Sequence, residues 1–123
     1  MGLDTTHDCW HGSYSSFNEW RREIEKASGF EDVDYQAYEW FNFQGMWESA
    51  TPSDGILILL VHSDCDGYIF PGDQERLADR LEELLPALDA SGPQYSWSPR
   101  GLAERFIAGL RDAIEKIEVV QFR

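Results

Sequence analysis

Apolar side chains recur at helical spacing in three stretches of the chain. Positions three and four residues apart share one face of a helix, so the stretches predict helices over residues 15–28, 73–88 and 99–116. Gly29 suits a left-handed cap after the first helix, and Ser98, followed by proline, suits the N-cap of the third. The repeating apolar residues are Phe17, Trp20, Ile24 and Ala27 in the first stretch, Leu77, Leu81, Leu84, Leu85 and Leu88 in the second, and Leu102, Phe106, Leu110, Ala113, Ile114 and Ile117 in the third.

One stretch is continuously apolar instead. Residues 56–61 are all isoleucine, leucine or valine, a short and partly β-branched run that is typical of a strand buried on both faces. We therefore expect an α/β (α+β) fold, a small single-domain layered fold with a short sheet around a central buried strand at about residues 56–62. A turn at residues 51–55 leads into this strand, and residues 118–122 predict a last strand beside it. The aromatic-rich segment 32–47 has an ambiguous period.

The charge of the chain limits its partners. Twenty-three acidic residues against ten lysines and arginines give a formal charge of −13 and a pI near 4.4. With 42% apolar and 14% aromatic residues, the 123 residues are expected to form one folded domain rather than a disordered chain. Because the longest basic run is Arg21-Arg22, we expect no direct nucleic-acid binding. The acidic balance suits cation binding or docking on a basic protein partner, or it serves solubility alone.

No stretch of the sequence resembles a targeting or membrane segment. The amino terminus has no basic region followed by an apolar run, and the longest apolar stretch is far shorter than a membrane span. We therefore expect a cytoplasmic protein with no membrane association. In that compartment Cys9 and Cys65 are expected to be free thiols.

All histidines and cysteines of the chain lie in two short clusters, residues 7–11 and 62–65. Gly12 and the absence of a helical pattern favour an extended first cluster, in which side chains two residues apart share a face and His7, Cys9 and His11 point the same way. In a helix His7 and His11 would still share a face, but Cys9 would leave it. The second cluster follows the predicted central strand, at the edge of the sheet where α/β proteins bind ligands. These side chains supply metal ligands, nucleophiles and acid–base groups, so both clusters are candidate sites.

Three chemistries suit these clusters. A divalent metal, with zinc the first choice, takes its ligands from His7, Cys9, His11, His62 and Cys65, with a carboxylate from Asp64 or Asp66. Such a metal would activate water for hydrolysis of a small, nucleotide-like molecule. Alternatively a cysteine acts as nucleophile without metal, with Cys65, His62 and Asp64 as the catalytic set, or the carboxylates alone hold a hard cation. The spacing matches no established zinc motif, and the clusters also suit residues that only brace loops. Candidate ligand-binding residues beside them are Trp10, Asp4, Asp66 and Arg21.

Two motifs resemble a family of small uncharacterised proteins from bacterial, phage and metagenomic sequences. The first is residues 2–12, Gly-Leu-Asp-Thr-Thr-His-Asp-Cys-Trp-His-Gly, and the second is residues 62–67, His-Ser-Asp-Cys-Asp-Gly. The resemblance covers most of the chain outside residues 30–55. It implies no catalytic residues, and its association with prophages implies a role in conflict between bacteria and phages.

Two functions of different classes therefore follow from the sequence. The first is a site that binds a divalent metal and hydrolyses a small, nucleotide-like molecule. The alternative is a non-catalytic acidic inhibitor, immunity or ligand-sequestering protein that works through its charge or an aromatic pocket.

Overall fold

The computed structural model describes residues 2–29, 55–60, 62, 67–88 and 98–123. The segment 32–47, most of the turn at 51–55 and the residues Asp64, Cys65 and Asp66 lie outside this part of the chain. The fold is a mixed α+β domain, as the sequence predicts. Its elements are β1 (Gly2–Asp4), β2 (His11–Ser13), α1 (Tyr14–Ser28), α2 (Leu57–Leu60), β3 (Tyr68–Ile69), α3 (Pro71–Leu84), α4 (Pro99–Lys116) and β4 (Val120–Gln121), with 3₁₀ turns at Thr6–Asp8 and Leu85–Ala87.

The strands form two small antiparallel pairs. β1 pairs with β2, and β3 pairs with β4 so that Ile69 lies opposite Val120. A bridge between Thr5 and Phe122 joins the pairs, and the backbones of Asp4 and Arg123 exchange two hydrogen bonds of 2.9 and 3.0 Å. The first strand and the last residues of the chain therefore lie side by side.

The three main helices confirm the prediction from apolar spacing. Ser13 caps α1 by accepting a hydrogen bond from the Ser16 N–H, and Ser98 caps α4 in the same way through Gly101. α3 begins two residues before the predicted start, and its continuation ends in the 3₁₀ turn that contains Pro86. Local capping chemistry therefore sets most helix boundaries.

The predicted central strand at residues 56–62 is wrong. Leu57–Leu60 form the short helix α2, in which the Leu60 N–H donates to the Ile56 carbonyl at 3.1 Å. All four residues of α2 are buried, and a run that is apolar at every position cannot distinguish a buried helix from a buried strand. The last strand exists as β4, but its partner is β3 and not the apolar run.

Aromatic rings occupy the centre of the core. The Trp10 ring stacks on Trp20 at 5.3 Å and meets Phe17 edge-on at 5.1 Å. Trp20 also packs on Phe106 of α4, and Phe17 packs on Phe122 beside β4. Such ring pairs add to the free energy of apolar burial, so this cluster ties α1, α4 and both chain ends into one unit.

Helices α1 and α4 end in the same backbone geometry with different residues. Gly29 follows α1 with a φ of 85°, whereas Ile117 follows α4 with a φ of 55°. A β-branched residue is disfavoured in this left-handed conformation, and the Ile117 side chain is 81% exposed. Ile117 therefore destabilises the fold through its backbone conformation, and its exposed side chain offsets little of that loss by burial.

We expect Ile117→Gly to raise the free energy of unfolding by about 1 kcal/mol, because glycine adopts this conformation without steric cost. Gly29→Ala is the matched control and should lower it by about 1 kcal/mol. Thermal unfolding followed by circular dichroism measures both changes. A loss of stability in Ile117→Gly would contradict the explanation.

Candidate functional site

The first cluster is not an extended face, so the prediction that His7, Cys9 and His11 point the same way is wrong. His7 and Asp8 both have positive φ, of 63° and 56°, and turn the chain through the 3₁₀ segment Thr6–Asp8. This turn sends the three side chains into different environments.

Cys9 is a core residue. Its side chain is 1% exposed and lies against Gly109 of α4, where an added Cβ would come within 2.5 Å of the Cys9 Sγ. Burial raises the pKa of the Cys9 thiol to about 12. Since the thiolate is the form that binds metal or attacks a substrate, this environment disfavours both roles that the sequence predicts for Cys9.

We expect Cys9 to resist alkylation in the folded protein. In a Cys65→Ser background, iodoacetamide at about pH 8 should modify Cys9 only after denaturant is added, because the folded thiol is buried and protonated. Peptide mass spectrometry measures the modified fraction. Because burial penalises the thiolate, this group leaves the free energy of unfolding unchanged below the unfolded pKa of 9.0 and lowers it as the pH rises from there towards about 12. Rapid labelling without denaturant would contradict this placement.

His7 connects the turn to the end of α4. Its Nε2 donates to the Glu118 carboxylate at 3.0 Å, and its Nδ1 lies 2.8 Å from the Thr6 hydroxyl. The Thr6 hydroxyl also accepts the Gln121 N–H at 3.0 Å. Both ring nitrogens of His7 are therefore engaged in holding the turn against the last strand.

Asp4 and His7 line a polar cleft of about 480 Å³ between the turn and α4. Lys116 lies in this cleft and is paired with Asp112 at 3.1 Å, which raises the pKa of Lys116. His11 is on the surface, where its Nδ1 lies 3.4 Å from the Asp4 carboxylate. The mixed charges suit a small polar molecule better than a bare cation. The lining residues are Asp4, Thr5, Thr6, His7, Asp8, Asp112, Lys116 and Arg123.

His62 of the second cluster is a buried residue. Its Nε2 donates to the Tyr68 carbonyl at 3.1 Å, and its ring lies 4.0 Å from the Phe122 ring. Gly67 makes room for the His62 ring, since a Cβ at position 67 would lie 3.2 Å from that ring. The φ of Gly67, 100°, also disfavours residues with side chains. His62 is thus a part of the core beneath β3, and the structure does not describe its predicted partners Asp64, Cys65 and Asp66.

Arg21 and Trp10 are also interior residues. The Arg21 guanidinium donates through Nη1 to the carbonyls of Leu59, Leu60 and His62, and lies 4.6 Å above the Phe17 ring. It thereby caps the carboxyl end of α2. The sequence predicts instead that Arg21 binds a ligand. Trp10 is 3% exposed within the aromatic cluster, so neither residue faces a binding surface.

The described residues contain no group of three or more side chains placed to hold a metal ion. The zinc site and the hydrolytic chemistry built on it stay predictions. None of the described helices is both long and apolar enough to cross a bilayer. No family model, curated protein or solved structure matches this chain, so the resemblance to a phage-associated family also stays a prediction.

Sequence reasoning missed a set of exposed apolar residues, which we name the exposed strip. In the described part of the chain, the large apolar side chains that are exposed all fall in residues 68–70 and 117–119. Only the absence of a capping residue before Pro71, and of glycine after Lys116, signals them in the sequence. The strip consists of Tyr68, Phe70, Ile117 and Val119, at 49%, 48%, 81% and 37% exposure.

Proposed function

We propose that this protein is a non-catalytic acidic binding protein, of the inhibitor or immunity type, whose partner is a basic protein. The distribution of charge is the observation that carries the proposal. Fourteen of the 23 acidic residues lie in the described part of the chain, and none of the fourteen is buried. The remaining nine fall in segments that contain no lysine or arginine.

Five of the ten lysines and arginines form ion pairs with acids of the described part of the chain. Arg111 binds Asp79 and Glu82 at 2.7 and 3.0 Å, and Lys116 binds Asp112. Intramolecular pairs of this kind leave the net charge of −13 unchanged. A field of this sign favours encounter with a basic surface and disfavours nucleic acids.

The positions of the predicted catalytic, metal-binding and ligand-binding residues support binding over catalysis. Cys9, His62 and Arg21 each contact the interior and stabilise a turn, a strand or a short helix. The functional part of such a protein is then its surface. A role in conflict between bacteria and phages is the finer form of the proposal, and it rests on the resemblance alone.

Affinity capture followed by titration tests the proposal. Immobilised full-length protein is incubated with a lysate of the cells that produce it at about 50 mM salt, and proteins released at high salt are identified. Each is then purified and titrated alone by calorimetry. We expect one saturable complex with a partner of pI above about 9, whose association rate falls steeply with ionic strength.

An unrelated folded protein of similar size and charge is the control, because any polyanion retains some basic proteins. A partner that binds this control equally well would count against the proposal. So would a partner of neutral or acidic pI, or a bound small molecule as the only ligand.

A further inference from the structure

The two halves of the exposed strip lie side by side. In the antiparallel register Tyr68 lies opposite Gln121 and Ile69 opposite Val120. Ile69 and Val120 are buried, so the residues that flank them point to the outside of the ladder. The rings of Tyr68 and Phe70 lie 6.1 Å apart on this outer face.

Gln74 fixes the two halves together from within. Its side chain is fully buried, and its Nε2 donates to the carbonyls of Ile69 and Glu118 at 2.8 and 2.7 Å. One amide therefore holds the backbone of both segments. The strip is a rigid surface, since buried hydrogen bonds and a strand ladder set its backbone.

Two residues of the strip occupy positions at helix ends where other residue types are preferred. Phe70 occupies the N-cap of α3, with extended backbone angles and no side-chain hydrogen bond to the helix, where serine, threonine or aspartate is preferred. Ile117 occupies the left-handed position after α4, where glycine is preferred. Positions where local preference and structure disagree are concentrated at functional sites. Here two such positions, on different helices, lie at the same end of the β3–β4 pair, where Gln74 bonds to the carbonyls of both segments.

We propose that the exposed strip is the docking surface for the basic partner, which inserts an apolar anchor between Phe70 and Ile117 and surrounds it with lysine or arginine. This inference rests on the proposed function and assigns its contact surface. An apolar centre with a charged rim is the usual anatomy of a specific interface. The rim carries more acids than bases: Glu115 and Glu118 are exposed beside Ile117, with Glu118 bonded to His7, and Asp73 lies in the first turn of α3. The one lysine beside Ile117, Lys116, is paired with Asp112.

Charge complementarity decides between the possible occupants of the strip. A second copy of this chain would bring another −13 charge and the same acidic rim to the contact. An anionic membrane surface would be repelled in the same way. A basic protein instead gains from both the apolar centre and the rim, so it is the occupant that the surface fits.

Titration of the captured basic partner into the unaltered protein and four variants tests the inference. Phe70→Ser and Ile117→Gly should each weaken binding at least roughly tenfold, as expected for central apolar contacts. Both should also raise the Tm, by about 4 °C, because each restores a preferred capping residue. Loss of binding in a more stable protein separates a contact role from a folding defect.

Glu115→Gln and Glu83→Gln form a matched pair for the rim. Glu83 lies at the far end of α3 from Phe70, so its removal should change the affinity by less than about twofold, whereas Glu115→Gln should weaken binding several-fold and reduce its salt dependence.

If the unaltered protein binds no basic protein, the proposed function fails and this inference fails with it. If it binds one but Phe70→Ser and Ile117→Gly bind equally well, only the surface is misassigned. Light scattering at about 300 µM gives a separate check. A dimer that Phe70→Ser abolishes would show that a second copy covers the strip, and would overturn the inference.

Discussion

Gly109→Ala is expected to lower the free energy of unfolding by about 3 kcal/mol, a large share of the stability of a small domain. A Cβ at this position would lie 2.5 Å from the Cys9 Sγ, 2.7 Å from the His7 carbonyl oxygen and 3.0 Å from the Cys9 Cα. Two of these contacts are to backbone, which cannot move aside as the end of a flexible side chain can. Urea unfolding followed by tryptophan fluorescence measures the loss.

Gly72→Ala is the control for this substitution. Gly72 also lies in a helix, α3, but a Cβ there would meet nothing within 4 Å. It should therefore stay within about 0.5 kcal/mol of the parent protein or gain slightly through helix propensity. Equal changes in stability at the two glycines would contradict the close packing of the 3₁₀ turn Thr6–Asp8 on α4.

Arg21→Met is expected to cost about 3 kcal/mol, because it removes the cap of α2 and leaves its carbonyls without their buried donor. Arg21→Lys should recover only part of this loss, since an ammonium cannot reproduce the planar guanidinium on the Phe17 ring. Chemical unfolding of both variants gives the values.

The neighbouring Arg22 provides the matched control for Arg21. It is exposed, so Arg22→Met should change the stability by less than about 0.5 kcal/mol. If both arginines behaved alike, Arg21 would not be the cap of α2, and the ligand-binding role that the sequence predicts for it would regain support.

Local sequence signals predicted the three long helices because each signal acts within a few residues. The apolar spacing gives their buried faces, and Ser98 and Gly29 mark two of their ends. The short helix α2 escaped prediction because its apolar run has no polar position to reveal a period. Its conformation depends on Arg21, which lies almost forty residues away in the chain.

The candidate sites were harder to predict because their environments come from distant parts of the chain. Cys9 is buried against Gly109, and His62 is buried by Phe122 and Gly67. For Cys9 and His62, clustering in sequence therefore located residues that the fold needs in its interior, whereas His11 of the same clusters is exposed. Asp4, His7 and Asp8 do line a cleft, yet its remaining charged residues come from α4 and Arg123.

The exposed strip shows the opposite relation between sequence and structure. Phe70 and Ile117 look unremarkable in the apolar pattern and are informative only once the helix ends are known. A polar residue in place of Phe70, or glycine in place of Ile117, would make the protein more stable. Both positions lie at the same end of the β3–β4 pair, so the two exceptions belong to one part of the structure.

Amide chemical-shift mapping tests the central claim most directly, since a protein of 14.2 kDa gives resolved spectra. The basic partner is titrated into isotope-labelled full-length protein, and the shifts of the described residues are followed. We expect the largest changes at residues 68–70 and at Ile117 and Val119. Changes confined to the cleft, at residues 4–8 and 112, with the exposed strip unmoved, would contradict it.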